Sequence, residues 1–163
     1  MLTERLKPPQ LGMQALIPEI WRTNEKRLDD SRRKRRSVLD DFKDNDCVAI
    51  GWNSLGDLRN YNSPEALKEA YIQHFGNAKP GRTANAIAMI RKFRDDIKQG
   101  DTLITYSQEH REYLVGEDLG QYEFRPEPEQ IGEFQQIRKV KWLGRVSRDQ
   151  FSQATRNSLG SVL

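Results

Sequence analysis

The chain has 163 residues, 27 of them basic and 24 acidic, for a formal net charge of +3. At roughly 100 to 200 residues per domain this is one domain, or one domain with a tail, and two full enzymatic domains are excluded. A 36% hydrophobic share beside 31% charged residues supports a single core and excludes global disorder.

No apolar run reaches the roughly 18 residues that a membrane span needs, and no charged start leads into an apolar segment of the secretory kind. A cytoplasmic protein without membrane partners is therefore expected. Cys47 is the single cysteine and His74 and His110 the two histidines. They rule out an internal disulfide framework and leave too few ligands for a zinc site, so no metal and no cofactor is expected.

Residues 1–17 show no sustained periodicity and are expected to form an N-terminal arm, with the domain over 18–163. Pro18 to Thr23 is predicted as a short first strand. Between Lys26 and Lys43, eight basic residues stand against four acids, so this stretch carries +4 and the remainder is about neutral. At its centre, near 26–36, lies an arginine-rich insertion with the run Arg32, Arg33, Lys34, Arg35 and Arg36. Such a run neutralises phosphates and releases their counterions, or it is simply a solvated face. A helix through Val38, Leu39 and Phe42 closes the stretch.

Cys47 to Trp52 reads as a strand covered on both sides, because its apolar residues are nearly continuous. Asn53 to Asn62 is a loop. Ser63-Pro64 opens a helix that ends near Gly76, and a second helix opens around Thr83 with Ala84, Ile87, Ile90, Phe93 and Ile97 on one face. Two strands follow, Thr102 to Tyr106 and Tyr113 to Leu119, joined by Ser107 to Arg111. The last strand, Ile137 to Val146, places Val140, Trp142 and Val146 on one face and Lys139, Lys141 and Arg145 on the other. Ser147 then caps a short terminal helix. This order does not alternate as a doubly wound sheet does, and predicts an α+β domain: a small curved sheet or β-barrel of about five strands with flanking helices.

Gly76 to Thr83 nearly matches the G-x-x-x-x-G-K-[ST] phosphate loop, but it follows a helix instead of a strand and carries Arg82 where lysine belongs. What remains is a helix start at Gly81, Arg82 and Thr83, whose amides suit a nucleic-acid phosphate. The carboxylate pairs Asp40-Asp41 and Asp95-Asp96 sit among basic residues as surface balance. No metal-nuclease tripeptide occurs in a predicted strand. Ser107 and His110 share a loop without a third orienting group, so the chain is not expected to be an enzyme. Among the aromatics, Phe75, Phe93 and Trp142 fall on apolar faces. Trp52 ends a buried strand just before a polar loop, where it is either a core residue or a stacking surface for an extruded base.

Four blocks together resemble a known family. They are the stretch from Ser37 to Leu58 with Val48-Ala-Ile-Gly-Trp52 at its centre, then Lys79-Pro-Gly81, Arg111-Glu-Tyr-Leu-Val-Gly-Glu117 and Val140-Lys-Trp-Leu-Gly-Arg-Val-Ser-Arg148. In this order they are similar to the EVE-like domain of the PUA superfamily, as found at the N-terminus of Mrr-type restriction endonucleases and related prokaryotic defence proteins. The likeness runs from about Pro18 to the end.

The resemblance implies a PUA/EVE-like barrel whose aromatic pocket receives a modified base. Trp52 is then the principal cage residue, Trp21, Asn24, Tyr106 and Ser107 wall residues, and Asn53 an edge-binding group. Arg32 to Arg36, Arg82, Thr83, Lys139 and Lys141 would hold the phosphate backbone. The expected function is a non-catalytic reader of DNA carrying a methylated or hydroxymethylated base, with a nuclease effector fused C-terminally or acting as a partner. In similar proteins more chain follows the Arg156 to Ser161 segment, so an excised domain or a stand-alone reader is expected. The alternatives are a PUA-type RNA-binding module, a protein-interaction adaptor in a defence complex, and a nuclease or hydrolase whose site the pattern does not reveal.

Overall fold

A computed structural model describes residues 14–15, 38–76, 79–107, 110–126, 131 and 134–161. The predicted strand at Pro18 to Thr23 and the arginine run lie outside the described residues. In chain order the elements are β1 (Gln14–Ala15), α1 (Val38–Asp44), β2 (Cys47–Ile50), α2 (Pro64–Phe75), α3 (Pro80–Arg91), β3 (Thr102–Ser107), β4 (Glu112–Phe124), β5 (Gln136–Ser147) and α4 (Gln153–Ser161). Short 3-10 turns at Asn53–Leu55, Leu58–Asn60 and Arg148–Gln150 fill the connections.

The sheet order is β1-β3-β4-β5-β2. Its body is four antiparallel strands curled into a half-barrel, and the two residues of β1 add a parallel pairing at the β3 edge. The α+β architecture with flanking helices matches the expectation, with four full strands in place of about five. Both faces of β2 are covered and all four of its residues are buried, which accounts for its unbroken apolar run.

Local chemistry explains the helix boundaries. Ser63 Oγ accepts the Ala66 amide at 3.1 Å, Pro64 supplies a pre-set φ, and Gly76 at φ 78° ends α2. Helix α3 begins at Pro80, three residues before the predicted start, because proline suits the first helical position. At i, i+4 and i+7, Thr83 shares the buried face with Ile87 and Ile90, while Ala84, expected on that face, is exposed. The helix then widens into a π-helical turn at Lys92–Asp96, closed by the Ile97 amide on the Lys92 carbonyl at 3.2 Å.

Strand β4 continues past the predicted end at Leu119 to Phe124 by way of an irregularity between Asp118 and Tyr122, where Gly120 adopts φ 132°. Ser147 caps the 3-10 turn, accepting the Asp149 amide at 3.3 Å. The terminal helix has its own cap in Ser152, whose Oγ accepts the Thr155 amide at 3.1 Å.

One buried cation joins sheet and helix. The Arg138 guanidinium, 1% exposed, donates to both oxygens of Asp118 at 2.7 and 2.8 Å. Its remaining hydrogens reach the carbonyls of Phe93 and Ile97 at 3.0 Å and of Gly120 at 2.8 Å. The carbonyls released by the π-helical turn and the strand irregularity are thus satisfied by one side chain.

Candidate functional site

Register decides which predicted site residues can meet. Ile50 of β2 pairs with Gln136 at the start of β5, whereas Ser107 of β3 pairs with Glu112, which pairs with Ser147 at the end of β5. The twelve residues of β5 separate the two positions, on the order of 30 Å at the rise of a strand. Trp52 and Asn53 therefore stand at one end of the sheet and Tyr106 and Ser107 at the other. A single pocket walled by all four is not formed. Trp21 and Asn24 lie outside the described residues.

At the first end, the strand stops at Ile50, two residues before the predicted end, because Trp52 turns into the left-handed region at φ 63° and ψ 36°. Such a backbone costs a non-glycine residue about 1–2 kcal/mol, so packing must hold it in place. The indole is 8% exposed and belongs to the main core.

The loop beyond it is fastened to the sheet by a chain of polar groups. Asn53 Oδ1 accepts the Gln135 amide at 3.1 Å, and Gln136 Nε2 donates to the Gly56 carbonyl at 2.8 Å. The Tyr122 hydroxyl accepts the Leu58 amide at 3.1 Å and donates to Gln136 Oε1. Burial pushes the Tyr122 phenol up to about 12, so it is a neutral donor at physiological pH. Sequence reasoning missed Tyr122 and Gln136, since neither stands in a recognisable motif.

At the other end, Ser107 is 6% exposed and its hydroxyl is already engaged, accepting the His110 amide at 3.1 Å and lying 3.1 Å from His110 Nδ1. Tyr106 packs on Tyr113 at 4.8 Å between ring centroids, and Tyr113 meets the edge of Phe151 at 5.3 Å. These rings form a small second cluster apart from the main core.

The predicted backbone contacts divide as well. Arg82 and Lys141 are exposed, and Lys139 is half-buried with its ammonium on the Asn45 carbonyl at 3.1 Å. Thr83 is 3% exposed, with its hydroxyl unpartnered among the described residues, so it faces the core and cannot meet a phosphate. Nor is the first turn of α3 an open amide cradle. Pro80 lacks an N–H, and the Arg82 and Thr83 amides both bond the Lys79 carbonyl, at 2.8 and 3.3 Å.

Among the described residues a sizeable concavity lies beside the Trp52 loop. It is an open groove of about 620 Å3 lined by Arg59, residues 61–62, 94–95, 97–99 and 120–122, and Arg138, of which Ile97, Tyr122 and Arg138 are buried. Arg59 lies over the Tyr122 ring at 5.9 Å and is paired to Asp57 at 2.7 Å. Arg94 is spent on Asp95 and on the carbonyls of Leu58 and Tyr61. Each arginine holds its partner carboxyl, Asp57 or Asp95, below the ordinary carboxylate range by hydrogen bonding.

Among the described residues no cluster of three His, Cys, Asp or Glu side chains could hold a metal ion. Burial raises the Cys47 thiol to about 11 and makes it inert at neutral pH. No described helix is long and apolar enough to cross a membrane.

Fold and site together define a small α+β domain with a curled antiparallel sheet and a polar, side-chain-anchored loop at one sheet end. Residues 27–161 match DUF8426, a domain of unknown function, and the chain belongs to that family. No curated protein and no solved structure matches the chain.

Proposed function

We propose that the chain is a non-catalytic reader of DNA, a domain of the EVE-like branch of the PUA superfamily that stacks an extruded modified base on Trp52. The observation that carries this reading is the backbone at Trp52. A bulky residue held in a left-handed conformation, at a sheet end and beside a loop fixed by buried hydrogen bonds, is strain of the kind that clusters at ligand clamps. Stacking on an indole contributes on the order of 1–3 kcal/mol, and because the Trp52 ring is only 8% exposed, this reading requires the loop after it to open for the base to enter.

The base-reading end in this proposal is built from Trp52 and the loop after it. Tyr106 and Ser107 belong to a separate surface, and Trp21 and Asn24 remain candidates for the cage wall. Arg32 to Arg36 with Arg82, Lys139 and Lys141 supply a sequence-independent backbone term that weakens with salt. A nuclease, fused or separate, is the proposed effector, and the cytoplasm the proposed compartment.

The test is binding to matched duplexes, unmodified or carrying methylated adenine, methylated cytosine or hydroxymethylated cytosine, at two salt concentrations. The reading expects a preference for one modification that survives the higher salt and is lost in Trp52→Ala. Replacing the arginine run should instead weaken every duplex alike. Equal binding that collapses with salt overturns the cage, and a preference for structured RNA in the same assay moves the reading to the RNA-binding alternative.

A further inference from the structure

We infer that the groove beside the Trp52 loop is a second base-binding subsite, which takes one unmodified nucleotide flanking the base held at Trp52. The inference rests on the nucleic-acid reading above, but its own argument is the chemistry of the groove. Its arginines are neutralised in place, Arg59 by Asp57, Arg94 by Asp95 and Arg138 by Asp118. A groove so compensated is a poor trap for a bare anion. What it offers is neutral hydrogen-bonding capacity. The carboxamides of Asn62, Gln99 and Gln121 line it, are exposed, and have no hydrogen-bond partner among the described residues.

A carboxamide presents a donor and an acceptor side by side, which is the pattern on the edge of a nucleobase and the reason Asn and Gln read bases bidentately. The half-buried Tyr61 ring and the Arg59 guanidinium, which lies over the buried Tyr122 ring, provide the planar groups on which an unstacked base rests. The volume, about 620 Å3, falls in the range of pockets for small organic ligands. At the rim Lys98 gives one hydrogen to the Asp95 carbonyl at 2.6 Å and keeps two for a strand phosphate. The loop that starts at Trp52 ends at Tyr61 and Asn62, so one loop touches both subsites.

The experiment is an NMR titration of the full chain with adenosine, cytidine and inorganic phosphate, read on the side-chain amides of Asn62, Gln99 and Gln121. Beside it runs oligonucleotide binding by the N62A/Q99A/Q121A variant, which changes only exposed positions. The subsite predicts saturable amide shifts with a nucleoside and none with phosphate. It also predicts an approximately tenfold loss of oligonucleotide affinity in the variant, with the modified-to-unmodified ratio and the salt slope unchanged. Absent nucleoside shifts, equal shifts with phosphate alone, or wild-type oligonucleotide affinity in the variant overturn it. Nucleoside shifts in a chain that binds no oligonucleotide would uphold the subsite and defeat the reader.

Discussion

Arg138 of β5 and Asp118 of β4 form a bidentate ion pair from which solvent is almost entirely excluded, at 1% and 0% side-chain exposure. The pair is also the point where the π-helical turn, the strand irregularity and the sheet meet, because the guanidinium's other hydrogens hold the carbonyls of Phe93, Ile97 and Gly120. Removing one partner strands a buried charge. Asp118→Ala is expected to cost about 3–5 kcal/mol in urea denaturation. The double variant Asp118→Leu/Arg138→Met should recover part of that loss, though not all, since three carbonyls lose their donor. A loss below about 1 kcal/mol in Asp118→Ala would mean the pair does not hold these elements together.

Tyr122→Phe removes the hydroxyl that accepts the Leu58 amide and donates to Gln136 Oε1, while Gln136 Nε2 keeps the Gly56 carbonyl. The expected cost is about 1–3 kcal/mol. Amide hydrogen exchange should locate the effect, with protection at Leu58 falling more than in β3.

Alkaline pH should destabilise the fold in two steps. Burial raises Cys47 from 9.0 to about 11 and Tyr122 from 10.0 to about 12. In each case the native state keeps a proton that the unfolded chain gives up, so stability is intact below the unfolded value and falls as pH rises. The decline should run from about pH 9 to 12. Cys47→Ala should remove its lower part and Tyr122→Phe its upper part, measured as melting temperature against pH.

Gly116 is a position without room for a side chain. A Cβ there would lie 2.3 Å from Val140 Cγ1, 2.9 Å from the Trp142 ring and 3.1 Å from the Lys141 carbonyl. Gly116→Ala should cost about 1–3 kcal/mol through overpacking of the β4–β5 pair. Gly51→Ala, where nothing lies within 4 Å, should stay within about 0.5 kcal/mol and serves as the control in the same denaturation series.

Local signals in the sequence were readable where one residue type has one physical meaning. Ser63-Pro64 marked the start of α2, the apolar run at Cys47 marked β2, and the face of Ile87, Ile90, Phe93 and Ile97 marked the buried side of the long helix. Trp52 was identified as the residue at the strand end, but its left-handed backbone has no signature in residue type. The buried role of Arg138 was hidden because it sits in a lysine-rich strand and reads as one more surface cation. The family resemblance carries Tyr106 and Ser107, at the end of a strand, over to the wall beside Trp52. Chain order does not tell which strand ends share one edge of the sheet, and antiparallel register put these at the opposite one.

If the chain reads a base as proposed, Trp52 touches it. A chain with Trp21→Phe and Trp142→Phe retains Trp52 as its only tryptophan, and its emission can be followed while anisotropy of a labelled duplex reports binding. Stacking predicts quenching that saturates with the binding curve for modified DNA and is weaker for the unmodified duplex. Full binding of modified DNA with unchanged Trp52 emission would mean that Trp52 does not stack on the base.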